Sequence, residues 1–191
     1  MKKVIIIGAS GSLAPCVIKD LEKQPEVELT LFVRNKKRLQ QNVAAKHKVI
    51  EGDAANYNHV ENAIIGHDLV YVNLAGDLET MTGIIVKAMQ ETGVKRIVAI
   101  SSIGIYNTPL RAILKPYRKL ADIIEASGLD YTILRPDWFT NGNEVEYVLT
   151  KKGQPETGTA ISRKSIAAFI ATIIKDPELH KNENLGISKP N

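Results

Sequence analysis

Short apolar, β-branched runs alternate along this chain with stretches of helical periodicity. Residues 3–7, 28–33, 48–50, 69–73, 96–100 and 131–134 read as strands, and most are apolar enough for a sheet covered on both faces. Between them Leu13, Val17 and Leu21 recur at helical spacing, as do Met81, Ile85 and Met89, with a less regular pattern from Ile113 to Ile124. Strands alternating with helices at this spacing predict βαβ units: an α/β, doubly wound, mainly parallel sheet with helices on both faces. Gly93 before Val94 and Gly128 before Leu129 stand where a left-handed residue ends a helix. Ser162, ahead of Ile166, Phe169, Ile170 and Ile173, predicts the cap of a last helix that stops before Asp176-Pro177. No repeat appears, so residues 1–191 are expected to form one domain. The segment 136–160, rich in Gly, Asn and Thr, has the weakest periodicity. It follows the sixth strand, where open α/β sheets expose a ligand crevice, and is expected to be the substrate side.

The first strand runs directly into Gly8-Ala9-Ser10-Gly11-Ser12-Leu13-Ala14. Glycine spacing of this kind gains meaning only from its context. Here Gly11 follows Gly8 by three residues, and the small Ala14 lets a helix approach the sheet closely. Pro15 is tolerated only in a first helical turn, so the helix must start near Ser12 or Leu13. The Ser12 and Leu13 amides are then left without intrahelical partners, with the positive end of the helix dipole behind them. A pyrophosphate fits that arrangement, and a Rossmann-like domain binding a dinucleotide through Gly8, Ser10, Gly11, Ser12 and Leu13 follows; the plain alternative is an ordinary tight βα turn. Sites preferring NAD tend to end the second strand in Asp or Glu. Arg34 stands there instead, and with Arg38 one helical turn on it would attract a 2′-phosphate, favouring NADP(H) with NAD(H) still possible. A solvated basic turn is the alternative, and Lys36 and Lys37 beside it are read as that.

With this loop, Arg34, Gly52-Asp53, Asn73-Leu74-Ala75-Gly76, Ser101-Ser102 and the stretch from Ser127 to Pro136 in this order, the sequence resembles the atypical short-chain dehydrogenase/reductases. More narrowly it is similar to the NmrA-like, NAD(P)H-binding group that includes small flavin and biliverdin reductases. The resemblance runs over nearly the whole chain. It implies that Asp53 and the Ala54 amide hold the adenine, and that Leu74, Ala75 and Gly76 pass under the adenosine ribose. It also implies that Ser101 and Ser102 lie beside the nicotinamide, and that Pro136 borders the nicotinamide and the substrate cavity. Turn formation is the competing reading for Asp53 and for the serine pair. Trp138 and Phe139 are open between cavity and packing roles.

The wider superfamily's Tyr-x-x-x-Lys pair is not supplied where it is expected. Tyr106 is followed at that step by Leu110 and Tyr117 by Ala121, while Lys119 falls on nearly the opposite helix face from Tyr117. Tyr147 to Lys151 matches as a string but lies after the Arg-Pro motif, and is read as chance. Chemistry that needs a tyrosinate base is thereby disfavoured. Hydride transfer to a flavin, quinone or bilin needs mainly a nicotinamide held against a flat acceptor. Ser102 and Tyr117 are the candidate catalytic groups. The reading is an NADPH-dependent reductase of a small planar acceptor; the alternative is a non-catalytic dinucleotide sensor whose occupancy is read by a partner protein. A nucleotide-sugar epimerase ranks last, because little chain remains for a sugar-binding lobe.

Composition narrows the picture. Twenty-five Lys and Arg against 21 Asp and Glu give a net charge of +4, with aromatics only 5% of the chain, so nucleic-acid binding is not indicated. Cys16 is the only cysteine, which excludes an intrachain disulfide and suits a reducing, cytoplasmic setting. The apolar run after Met1-Lys2-Lys3 is too short for a signal peptide or membrane span. His47, His59, His67 and His180 are dispersed, and no metal-ligand spacing exists.

Overall fold

A computed structural model describes residues 1–191. In chain order the elements are β1 (Lys2–Ile7), α1 (Ala14–Leu21), β2 (Val27–Val33), α2 (Gln41–Ala44), β3 (Lys48–Glu51), α3 (Tyr57–Ile64), β4 (Leu69–Val72) and α4 (Leu78–Thr92). They continue as β5 (Arg96–Ile100), α5 (Lys115–Glu125), β6 (Asp130–Pro136), β7 (Phe139–Thr140), β8 (Val148–Lys151), β9 (Ile161–Ser162), α6 (Arg163–Lys175) and β10 (Glu183–Ser188). Eight strands form one sheet in the order β3-β2-β1-β4-β5-β6-β10-β8, parallel throughout except for β8, which runs antiparallel to β10. The chain winds outward from β1 to β3 and then returns to β4 on its other side. A crevice therefore opens above the carboxyl ends of β1 and β4, where the winding reverses.

The unbroken apolar run of β1 has a direct cause. Val4 and Ile6 enter one core, with Val17 and Leu21 of α1 and Ile166 and Phe169 of α6, while Ile5 and Ile7 enter a second, with α3, α4 and α5. Because both faces are covered, alternation disappears from the sequence. Helix boundaries follow the local signals. Ser162 accepts from the Ser165 amide at 3.0 Å, Asp77 from Thr80 at 3.2 Å and Asn56 from His59 at 3.1 Å, each capping its helix. Gly93 ends α4 at φ +76°, and α6 stops at Lys175, ahead of Asp176-Pro177.

Strands β7 to β10 are not among the six expected from the sequence. β10 carries Asn184 and Gly186 in its interior and buries Asn184 and Ser188, so neither composition nor alternation marks it. Its Asn184 is satisfied by distant partners: Oδ1 accepts from Arg135, and Nδ2 donates at 2.8 Å to the Tyr106 hydroxyl and to Glu125. β8 contains most of the string from Tyr147 to Lys151. On a strand those two residues share a face but lie about 13 Å apart, which removes any catalytic coupling between them.

One buried ion pair ties this region together. Arg135, 1% exposed, donates through Nε to Glu156 at 2.9 Å and through Nη1 to the Asn184 carbonyl at 2.9 Å. The second Glu156 oxygen accepts from the Gly104 amide at 2.9 Å, so the pair links β6 to the loop after β5 and to the loop between β8 and β9. Removing one partner strands the other charge. Glu156→Ala is expected to cost about 3 kcal/mol in urea unfolding, and Arg135→Met with Glu156→Leu together about half as much or less. Equal costs for the single and double variants would contradict this account of the pair.

Candidate functional site

The loop from Gly8 to Leu13 is fixed from below. Gly8 and Ala9 donate to the Phe32 carbonyl at 3.1 and 3.3 Å, and the Gly11 amide closes a tight turn onto Gly8 at 3.0 Å. Gly8 has φ +92°, and a Cβ on it would collide with the Asn73 carbonyl at the end of β4; one on Gly11 would sit 2.8 Å from Asn73 Nδ2. Only glycine permits the main-chain approach at Gly8, while at Gly11 a Cβ would press on the Asn73 side chain. α1 then begins at Ala14 with Pro15 in its first turn and no side-chain cap. The amides of Ser10, Ser12 and Leu13 make no hydrogen bond within the chain. Asn73 Nδ2, buried beneath the loop, has no partner either. Free donors at a helix N-terminus, an orphaned amide below them and a cradle that a single Cβ would fill all fit the diphosphate of a dinucleotide.

Two pockets meet at this loop, sharing Gly11, Asn73, Leu74 and Ala75. The smaller, about 200 Å³, also has Gly8, Ser10, Arg34, Arg38, Asp53 and Ala54 in its wall. Arg34 and Arg38 are exposed and form no ion pair. Glu51, the acid nearest in sheet register, accepts from the Lys36 amide at 2.9 Å. Asp53 uses Oδ1 to accept from the Ala55 amide at 3.0 Å, so it forms a turn as well as lining the pocket, whereas the Ala54 amide has no partner in the chain.

The larger pocket, about 770 Å³, extends over the ends of β5 and β6 and takes in Ser12, Ser101, Ser102, Tyr117 and Pro136. The Ser101 hydroxyl is committed: it donates to the Tyr117 carbonyl at 3.0 Å and joins β5 to the start of α5. Ser102 Oγ donates to the Ile103 carbonyl at 3.2 Å, and the Tyr117 hydroxyl has no partner in the chain. No lysine supports that phenol, since Lys119 pairs with Glu79 on α4 at 3.2 Å. Tyr106 lies outside both pockets, and burial together with Glu125 raises its phenol above the ordinary value. No group of three or more His, Cys, Asp or Glu residues is placed to hold a metal ion.

Two nominated residues put no side chain into the cleft wall. Leu13 is buried in the core and offers only its amide, and Gly76, at φ +104°, lines neither pocket. Sequence reasoning missed several residues that do. Asn73 was visible only as the first letter of its motif. Arg111 and Ile113 precede α5, and Arg163 is brought in when β9 pairs with β7. No local spacing announces such long-range placement.

Comparison with known proteins agrees with this geometry. A Rossmann-fold NAD(P)-binding family protein from Shigella flexneri is 42% identical, superposes with a TM-score of 0.92 and covers 100% of this chain and 95% of its own. A short-chain dehydrogenase/reductase from Veillonella parvula DSM 2008, solved in complex with NADP, is 24% identical with a TM-score of 0.91, covering 100% and 95%. The anaerobilin reductase ChuY from Escherichia coli O157:H7 is 18% identical with a TM-score of 0.85, covering 100% and 98%. At those identities the last two share the fold. A curated relative from Bacillus subtilis, the uncharacterized sugar epimerase YhfK, is 26% identical over 186 residues, covering 86% of this chain and 79% of its own. The family model described as NAD(P)H-binding matches residues 8–177, and the chain belongs to that family.

Proposed function

We propose that the protein is an NADPH-dependent reductase of a small planar acceptor. The observation that carries this reading is one continuous cleft, in which a narrow lobe and a wide lobe meet over the glycine loop and share Gly11, Asn73, Leu74 and Ala75. An extended dinucleotide lying across the loop would put its adenosine in the narrow lobe and its nicotinamide at the floor of the wide one, and would leave room there for a second molecule. NADPH supplies the hydride when bound. The chain's own part is to hold both reactants in register and to limit water between them.

Ser10, Ser12 and Leu13 would give amides to the diphosphate. Arg34 and Arg38, unpaired at the rim of the narrow lobe, supply the charge that a 2′-phosphate needs, and the solved NADP complex of the Veillonella protein accords with that choice. Asp53 and the Ala54 amide would border the adenine, Leu74 and Ala75 the ribose. In the wide lobe Pro136 and Ser101 would frame the nicotinamide. Ser102 and the free Tyr117 hydroxyl are the polar groups in position to donate a hydrogen bond to the acceptor. Sugar epimerisation, the activity in the name of the Bacillus subtilis relative, demands a base that Tyr117 is not equipped to be while Lys119 faces Glu79.

Three measurements test this reading. With purified protein, NADPH and a panel of flavins, quinones and bilins, loss of the reduced-nicotinamide absorbance is expected with at least one acceptor; tight NADPH binding without turnover of any would contradict a reductase. Arg34→Ala is expected to weaken NADPH about tenfold or more and NADH little, and equal losses for the two would remove the phosphate argument. Gly11→Val is expected to abolish calorimetric binding of both nucleotides, because its side chain enters the Asn73 contact; retained binding would show that the loop holds no diphosphate.

A further inference from the structure

The outer wall of the wide lobe has a character that hydride transfer does not require. Trp138, 75% exposed, and Ile113, 69% exposed, are large apolar side chains facing solvent at its rim. The Trp138 backbone is nevertheless held, its carbonyl accepting from Ile161 at 2.8 Å and its amide donating to Asp137 at 2.6 Å. A fixed backbone presenting an exposed indole suits stacking against a flat ring.

Three charged residues line the same lobe: Arg111, Arg163 and Asp137. Arg111 is exposed and its side chain has no ionic or hydrogen-bond partner in the chain. Arg163 lies with its guanidinium 5.2 Å from the Phe139 ring centroid and donates through Nη1 to the Thr140 carbonyl at 3.2 Å and to Asn141 Oδ1 at 2.9 Å. Those contacts orient it and leave its charge unneutralised. Asp137, the one acid, spends an oxygen on the Trp138 amide. The lobe therefore combines an aromatic platform, two arginines free of carboxylates, and a net positive charge.

We propose that the wide lobe selects an anionic planar ligand, whose ring system stacks on Trp138 against Ile113 and whose carboxylate or phosphate is taken by Arg111 and Arg163. The proposal rests on the reductase reading only in treating this lobe as the acceptor side; ligand capture here needs neither turnover nor bound nucleotide. A guanidinium without a competing carboxylate gives a planar oxyanion charge-assisted, paired hydrogen bonds, which an uncharged analogue of the same ring cannot accept.

Trp138 is the only tryptophan, so its emission reports on this rim alone. The nucleotide-free protein is titrated with two matched pairs: flavin mononucleotide against riboflavin, and biliverdin against its dimethyl ester. The anionic member of at least one pair is expected to quench Trp138 emission with about tenfold tighter affinity at low salt, an advantage that shrinks as salt is raised. The pair that responds tells phosphate from carboxylate. Arg111→Glu, a change at an exposed position, is expected to abolish the preference, and Arg163→Gln to reduce it while keeping a donor for Thr140 and Asn141. Unchanged thermal midpoints verify that both variants are folded. Equal affinities within both pairs, no quenching by any of the four, or a preference that survives in Arg111→Glu would each overturn the proposal. A failure here with intact NADPH turnover leaves the reductase reading standing, and anion-selective quenching without turnover does the reverse.

Discussion

The close passage of the glycine loop over the carboxyl end of β4 is the constraint on which the rest of the site depends. Gly8 lets two stretches of main chain come nearer than any side chain would allow, and Gly11 packs against the Asn73 side-chain amide. That approach aims the start of α1 over the switch point between β1 and β4 and leaves the Ser10, Ser12 and Leu13 amides without partners in the chain. It also divides the crevice into a narrow and a wide lobe, because Asn73, Leu74 and Ala75 form the sill between them. The exposed Arg34 and Arg38 stand on one side of this sill, and the apolar rim of Trp138 and Ile113 on the other.

The wide lobe is built for placement more than for proton chemistry. Its Ser101 hydroxyl is consumed in holding β5 to α5, its phenol lacks a lysine, and its wall is tied to the buried Arg135–Glu156 pair through the Gly104 amide. Such a site suits a reaction in which the reacting atoms need alignment and the difficult chemistry belongs to the nucleotide.

Much of this was legible in the residues because the signals are local. The apolar run of β1, the glycine spacing, Pro15, Ser162 and Gly93 act within one or two turns of chain, and each element that depends on them stands where it was read. What was not legible depends on partners far away in sequence. β10 is polar in composition yet buried between β6 and β8, because Asn184 finds Arg135, Tyr106 and Glu125 only after folding. Arg163 reaches the wide lobe only through a two-residue pairing between β7 and β9, and Arg111 only through the course of a loop. The pattern from Tyr147 to Lys151 shows the converse: a string with the right letters lost its meaning when it proved to lie largely on a strand.

The central claim is that the free amides at the start of α1 take the nucleotide's diphosphate, and backbone amide resonances in solution report on it directly. Adding NADPH to isotopically labelled protein is expected to shift the Ser10, Ser12 and Leu13 amide signals strongly, while 2′-AMP, which lacks the diphosphate, moves signals near Arg34 and Arg38 and leaves those three nearly still. Saturating NADPH that leaves the three amides unmoved would contradict the account.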